Sequence, residues 1–208
     1  NDIRGMHVQE SDVRGAIEAA DTDFAEGCVG SGSGMCCLGL KGGIGSASRV
    51  LEIDGTAYTV GALVMSNFGA PGNLVIGGRH YDTNKACISD PRDRGSIIVV
   101  LATDIPLSER QLGRVAKRAT ISLGRVGSFC GNGSGDIAIA FTTANHIPHY
   151  SDHDILPFRM FYDENIDKVF EASVEAVEEA IVSSLYHAET THGIRGKTAV
   201  GLREFLAI

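Results

Sequence analysis

Apolar residues follow two alternating spacings along this chain, and the alternation predicts helices interleaved with strands. Helical spacing occurs in residues 11–20, 108–123 and 165–186. Continuous apolar runs at residues 97–102 and 137–141 predict strands, and the second run is typical of a strand covered on both faces. The long final helix is predicted to leave its glutamates on a solvated face.

Turn and capping residues indicate where the predicted strands and helices begin and end. Asp54-Gly55 lies between two strand-like segments, residues 50–53 and 57–66, and predicts an antiparallel hairpin because glycine accepts the positive φ of a tight turn. Ser11-Asp12 is predicted to cap the first helix, and Ser108 with Gln111 has the spacing of a capping box.

Two further segments are distinguished by their composition. The glycine-rich stretch 27–45 is interleaved with apolar residues, so we predict buried turns and extended strands there and not a flexible linker. Residues 69–94 mix glycine, proline, asparagine and charged residues, and they are predicted to be the most exposed and mobile part of the chain.

Composition narrows the classes of function. The chain has 208 residues and a formal net charge of −8, which argues against nucleic-acid binding because phosphates need a basic surface. No apolar run approaches the ~20 residues of a membrane helix, and no signal peptide is recognised at the start, so we expect a cytoplasmic protein without a membrane partner. The 5 cysteines lack paired C-x-x-C spacing and indicate neither a disulfide framework nor a zinc ribbon.

The junction between Gly95 and Ser96 carries the strongest chemical signal. A polar, proline-containing segment ends there and an apolar strand begins. Cleavage before Ser96 would place a hydroxyl nucleophile and an α-amine base on one residue, and an α-amine titrates near ~7.7 to 8.0. On local pattern alone, a Gly-Ser step before such a strand is more often an ordinary loop-to-strand boundary.

Several colinear motifs resolve that choice because together they resemble the L-aminopeptidase D-Ala-esterase/amidase family, which includes the β-peptidyl aminopeptidases. The resemblance runs from residue 1 to about residue 150 and continues more weakly through the final helix. Its motifs are Gly30-Ser31-Gly32-Ser33-Gly34-Met35, Gly39-Leu40-Lys41-Gly42-Gly43-Ile44-Gly45-Ser46-Ala47-Ser48-Arg49, Tyr58-Thr59-Val60-Gly61-Ala62-Leu63-Val64, Asn67-Phe68-Gly69, Gly95 to Asp104, and Ser134-Gly135-Asp136.

The resemblance implies an α/β fold, a four-layer αββα sandwich similar to that of N-terminal-nucleophile hydrolases. Residues 1–95 would form the end of an α-subunit-like segment and residues 96–208 a β-subunit-like segment, together one structural domain. It also implies self-cleavage between Gly95 and Ser96, followed by turnover of short peptides, amides or esters with a free amino terminus through an acyl-enzyme on Ser96. No cofactor or metal is implied.

The resemblance further assigns catalytic roles to Ser134 and Asp136, near the nucleophile and its amine. Asn67 matches an asparagine whose amide can donate to the developing oxyanion. Without the resemblance, Ser134-Gly135-Asp136 is typical of a hydrophilic segment before a strand, and Asn67 is equally consistent with a turn residue.

One departure from the family concerns length. The family has a substantial portion before the segment equivalent to residue 1, and that portion holds an active-site tyrosine. We therefore expect an upstream segment of the same gene product as a partner. We also expect a homo-oligomer, because family members assemble into larger oligomers.

Three alternatives remain open at this stage. The chain could be an uncleaved, dormant relative that binds small amino compounds, or an acyl transferase similar to ornithine acetyltransferases. A metal site is the third, with candidate ligands at His146, His149, Asp152, His153 and Asp154. A phosphate-binding loop is excluded because Lys41 is followed by Gly42-Gly43, and no G-x-S-x-G elbow of a conventional serine hydrolase occurs.

Overall fold

A mixed sheet of four strands organises the chain, which a computed structural model describes over residues 3–86 and 95–207. The sheet order is β3 (Gly43–Ile53), β4 (Thr56–Asn67), β7 (Ser96–Thr103) and β8 (Ile137–Thr142). The six shorter strands are β1 (Cys36–Cys37), β2 (Leu40–Lys41), β5 (Leu74–Ile76), β6 (Arg79–Tyr81), β9 (Thr191–His192) and β10 (Thr198–Ala199). The helices are α1 (Glu10–Glu18), α2 (Glu109–Lys117), α3 (Ala119–Arg125), α4 (Asp167–Tyr186) and α5 (Leu202–Ala207).

The predicted hairpin is confirmed as the pair β3 and β4, joined at Asp54 and Gly55 with φ values of 50° and 73°. β3 is longer than predicted and begins at Gly43, where the glycine-rich stretch has already become extended. β7 pairs antiparallel with β4 and parallel with β8. Strands from before and after residue 95 therefore share one sheet.

The core lies between this sheet and a layer of helices. Val99 and Leu101 of β7 are each 1% exposed and point toward this layer, together with Val64 and Ala62 of β4. α4 packs across β3 and β4 and carries the largest helical share of the core. Burying each such aliphatic side chain is worth about 2 kcal/mol, which holds the sheet against α4.

The opposite face of the sheet is open over the described residues. Because successive residues of a strand point to opposite faces, five large apolar side chains lie on this face, each 38% to 54% exposed. They are Leu63, Ile98, Ile137, Ile139 and Phe141. The strand predicted at residues 137–141 is confirmed, but the prediction that both of its faces are covered is wrong for the described part of the chain. The α/β class is confirmed, and the described residues supply one four-stranded sheet, three two-stranded sheets and a layer of helices on one side of the larger sheet.

Helix boundaries differ from the predictions in two places. The first helix begins at Glu10 and is capped by Gln9, whose N–H donates to the Asp12 carboxylate at 2.7 Å, so Ser11 is not its cap. The predicted helix over residues 108–123 begins at the confirmed Ser108 capping box but is divided at Arg118 into α2 and α3. At Arg118 the backbone bonds tighten, since its N–H donates three residues back to Val115.

Two further expectations need correction. Part of the segment predicted to be exposed forms the β5–β6 hairpin, with Leu74 and Thr83 fully buried, while residues 87–94 lie outside the described residues. The glutamates of α4 are not merely solvated, because Glu175 and Glu179 both pair with Arg49. Across the ranges that the structure covers, no helix is both long and apolar enough to cross a membrane.

Candidate active site

Ser96 and Asn67 lie directly opposite one another in the antiparallel ladder, where β7 begins and β4 ends. Side chains of directly opposed residues share a face of the sheet, with Cβ atoms about 4.5 to 5.5 Å apart. Ser96 is exposed and Asn67 is half-buried, on the open side of the sheet. The strand register therefore brings together two of the residues predicted for the site.

The Ser96 hydroxyl has two backbone partners. Its Oγ donates to the carbonyl oxygen of Gly95 at 2.7 Å and accepts the N–H of Gly135 at 3.1 Å. A Cβ at residue 135 would lie 3.3 Å from this Oγ, which is tighter than ordinary packing, so glycine suits the close approach. The hydroxyl is thus held beside the carbonyl of the peptide bond that self-cleavage would break.

Ser134 and Asp136 flank Gly135 and bond to one another, with Ser134 Oγ donating to Asp136 Oδ1 at 2.6 Å. Both side chains are half-buried. Among the bonds of the described residues, this pair reaches Ser96 through the backbone of Gly135 and not through a side chain. The structure thus gathers Ser134 and Asp136 next to Ser96, and their catalytic roles stay predictions.

The orientation of the Asn67 amide follows from its partner. Its Oδ1 accepts the backbone N–H of Cys36 at 3.0 Å. Because a backbone N–H can only donate, the oxygen must face Cys36 and the amide NH₂ group must point elsewhere. The Asn67 NH₂ group, which can only donate, is therefore the part of the amide that is available to a neighbouring group.

Gly95 is required by the same strand pairing. A Cβ built at this residue would lie 1.7 Å from the backbone oxygen of Asn67, so any side chain would force β4 and β7 apart. The Gly-Ser sequence at the predicted cleavage site thus has a steric cause. Residues 87–94, which precede it, lie outside the described residues.

Lys41 is a residue of this region whose position sequence reasoning missed. It is 1% exposed, and its Nζ donates to the carbonyl oxygens of Gly32, Met35 and Gly42. Its isolation in the sequence is the feature that could have indicated burial, since Lys41 is the one charged residue between Gly27 and Ser48. The sequence excludes a phosphate-binding lysine but does not by itself indicate a buried one.

The alternative metal site does not form in the described part of the chain. No group of three or more His, Cys, Asp or Glu side chains comes close enough there to hold a metal ion. The candidates His146, His149, Asp152, His153 and Asp154 are all exposed on the segment after β8. The sequence cluster does not become a spatial cluster.

A cavity of about 220 Å³ lies beside the site and not at Ser96 itself. Its walls come from the glycine-rich stretch, including Cys36 and Lys41, and from the segment around β9 and β10, including Thr191 and Ile194. Cys36 belongs both to this wall and to the support of Asn67, so the cavity and the Ser96 region share a boundary.

Comparison with known proteins identifies relatives of this chain. Residues 1–199 match the family model described as peptidase family S58. A β-peptidyl aminopeptidase of Sphingosinicella microcystinivorans is 43% identical over 216 aligned positions, which cover 95% of this chain. A second one, of Sphingosinicella xenopeptidilytica, is 35% identical over 97% of this chain.

Solved structures agree with the sequence matches. An L-aminopeptidase D-Ala-esterase/amidase of Ochrobactrum anthropi, described as a variant of the Ntn hydrolase fold, superposes with a TM-score of 0.88 at 43% identity and over 97% of this chain. A protein of Pyrococcus horikoshii superposes with a TM-score of 0.90 at 49% identity and over the whole of this chain. This chain spans 54% of each of the two β-peptidyl aminopeptidases and 56% and 58% of these two structures.

Proposed function

Because the chain belongs to peptidase family S58, we propose that it is a self-processing serine aminopeptidase, amidase or esterase with Ser96 as its nucleophile. Its substrates are short peptides, amides or esters with a free amino terminus. The observation that carries the proposal is the position of the Ser96 hydroxyl, 2.7 Å from the oxygen of the Gly95 carbonyl and opposite Asn67.

In self-processing, the Ser96 oxygen attacks the carbonyl carbon of Gly95. The new C–O bond forms, the C–N bond between Gly95 and Ser96 breaks, and the nitrogen takes the proton that the hydroxyl releases. Water then hydrolyses the ester, which leaves a carboxylate on Gly95 and a free amine on Ser96. The short contact between this hydroxyl and this carbonyl supports the proposal because the reacting groups are already adjacent.

In turnover, the new α-amine of Ser96 takes the proton from its own hydroxyl as that oxygen attacks the substrate carbonyl. The amine then returns the proton to the leaving group, and water hydrolyses the acyl ester. The NH₂ group of Asn67 donates to the oxyanion, and such a donor is typically worth ~3 kcal/mol in the transition state. The Gly135 N–H donates to the nucleophile, and the role that we propose for the neighbouring Ser134–Asp136 pair is to orient the nucleophile and its new amine.

The open face of the sheet supports a further partner, an upstream segment of the same gene product. This face exposes apolar residues such as Ile98, Ile139 and Phe141, and it lies on the same side of the sheet as Ser96. The relatives carry nearly as much chain again beyond the part that matches. We propose that the upstream segment covers this face and completes the substrate pocket, and that the whole protein is a homo-oligomer.

Trapping of the acyl-enzyme tests the proposed function. The whole gene product is incubated with a slowly hydrolysed ester of a small amino acid, and the digested protein is examined by mass spectrometry. The added acyl mass is expected on the peptide that begins at Ser96. The matched control is Ser31→Ala, which removes another exposed serine that follows a glycine. This variant should still acquire the same acyl mass on the peptide that begins at Ser96. Acylation of a different residue, or none with ester turnover intact, contradicts the proposal.

A further inference from the structure

Lys41, the buried lysine near Asn67, makes hydrogen bonds that require its amine to be protonated. Lys41 Nζ lies 2.9 Å from Gly32 O, 2.7 Å from Met35 O and 2.6 Å from Gly42 O. Carbonyl oxygens only accept hydrogen bonds, so the amine must donate all three. A neutral amine has two protons and an ammonium has three, so this arrangement fits the charged form.

A charge in this position is costly. Burial lowers the pKa of Lys41, and interactions with the side chains of Cys28 and Cys36 oppose this effect by a smaller amount. Within residues 3–86 and 95–207, no carboxylate forms an ion pair with Lys41. Removing a charge from water without a counter-ion costs several kcal/mol, and a neutral residue could fill the same space at lower cost.

One peptide group connects this ammonium to Asn67. The carbonyl of Met35 and the N–H of Cys36 are the two ends of a single peptide unit. The carbonyl end receives Lys41 Nζ at 2.7 Å and Gly42 N at 3.0 Å, and the N–H end donates to Asn67 Oδ1 at 3.0 Å. Hydrogen bonds in such a chain polarise one another, so a cation at one end strengthens the donor at the other.

We propose that Lys41 is a positioning residue for the oxyanion donor, acting through the Met35–Cys36 peptide. Its charge fixes that peptide plane, strengthens the Cys36 N–H bond to Asn67 Oδ1, and so orients the Asn67 NH₂ group and makes it a better donor. This inference rests on the proposed function, in which Asn67 donates to the oxyanion. It adds a residue that touches neither the substrate nor the nucleophile.

A double-mutant cycle tests the inference in the whole gene product, with an amino-acid ester as substrate. Lys41→Met removes the charge at similar volume, Asn67→Ala removes the donor, and the third variant carries both changes. Lys41→Met alone is expected to lower kcat about ten-fold with little change in KM. In the Asn67→Ala background the same change should lower kcat less than two-fold, because the group through which it acts is gone.

Ser173→Ala provides a matched control for the loss of a buried polar group. Ser173 Oγ donates to Val169 O within α4 at 2.6 Å, away from the Met35–Cys36 peptide. Its removal is expected to lower the Tm while leaving kcat unchanged, which separates loss of stability from loss of the connection to Asn67. Should Lys41→Met fail to fold, Lys41→Gln keeps a donor without the charge, and the cycle is repeated with it.

The outcomes separate the two levels of the proposal. An unchanged kcat in Asn67→Ala would overturn the oxyanion role given under the proposed function. A lowered kcat in Asn67→Ala, combined with an equal factor for Lys41→Met in both backgrounds, would overturn the role of Lys41 alone and identify it as a structural residue. Loss of the Lys41 effect in the Asn67→Ala background supports the inference.

Discussion

Asn67 of β4 and Ser96 of β7 lie directly opposite one another in the antiparallel ladder, so the Asn67 amide lies beside the Ser96 hydroxyl. The pairing also positions Gly95, whose missing side chain allows the Asn67 backbone oxygen to approach. Proximity of a nucleophile, its target carbonyl and a donor amide removes much of the entropic cost of reaction. The strand register is thus the structural basis of the proposed chemistry.

Substitution of Ser96 is expected to abolish two activities together. Ser96→Ala has no nucleophile, so both self-cleavage and substrate turnover should disappear. Ser96→Cys should retain part of the cleavage because a thiolate is intrinsically more nucleophilic than a hydroxyl. Denaturing gels and ester hydrolysis rates measure both effects. Processing by Ser96→Ala at the same bond would contradict the assignment.

Asn67→Ala is expected to lower kcat by about 100-fold or more, the usual effect of losing one oxyanion donor, with little change in KM. The measurement is steady-state kinetics on an amino-acid ester. Asn165 is an exposed asparagine before α4, so Asn165→Ala serves as the control and should behave as wild type. A loss confined to KM would indicate substrate binding instead.

Gly95→Ala should slow self-cleavage strongly, because the new Cβ would lie 1.7 Å from the Asn67 backbone oxygen and would displace Ser96 from its register. Gly113→Ala is the control, since a Cβ there meets nothing within 4 Å and alanine favours the helix by ~1 kcal/mol. Pulse-chase analysis of processing compares the two. Cleavage of Gly95→Ala at the wild-type rate would show that the register is not needed.

The sequence predicted much of the fold where local rules decide. The Asp54-Gly55 turn, the Ser108 capping box and the β7 strand depend on neighbouring residues and on apolar spacing, and all three occur in the structure. Exposure of the 137–141 strand was not predictable, because its apolar residues are the same whether or not a second layer covers them. The burial of Leu74 in a small hairpin likewise depends on distant packing.

The site was predictable only in part. Resemblance to a family indicated Ser96, Asn67, Ser134 and Asp136 as candidates, whose catalytic roles stay predictions, and the strand register places Asn67 opposite Ser96. The partner that donates to the Ser96 hydroxyl is the backbone N–H of Gly135, a group that every residue except proline has, so no residue type indicates it. Lys41 was missed because its three partners are carbonyls, which every residue possesses.

The pH dependence of turnover is expected to follow an α-amine. The amine of Ser96 must be unprotonated to act as a base, so kcat/KM should fall as the pH drops through a pKa near the ordinary value of about 7.7 to 8.0, and reach a plateau above it. A pH–rate profile on an amino-acid ester measures this, with kcat followed alongside kcat/KM because the amino terminus of the free substrate titrates in the same range. A profile that does not change between pH 6 and 9 would argue against the amine as base.

The lowered pKa of Asp163 should make the stability of the protein depend on pH, independently of the pH dependence of turnover. Hydrogen bonds from Arg110 and Gln111, with the charges of Arg110 and Arg114, hold the pKa of Asp163 below its ordinary value of 3.8. A carboxyl group with a lowered folded pKa stabilises the protein above the unfolded pKa, and this stabilisation is lost as the pH falls through the folded pKa.

Asp163→Asn should therefore lower the Tm at pH 7, and the difference from wild type should shrink as the pH is lowered below 3.8. Thermal unfolding across this pH range measures the effect. Asp154→Asn, on the exposed segment after β8, is the control and should not change the Tm. An equal Tm difference at every pH would show that the charge of Asp163 is not its source.

In the proposed function, Ser96 becomes a chain terminus whose hydroxyl and amine act together, and mass spectrometry of the whole gene product under denaturing conditions tests this most directly. A fragment that begins at Ser96 is expected in the wild type and is expected to be absent in Ser96→Ala. A protein that turns over peptides while only its intact mass is found would contradict it.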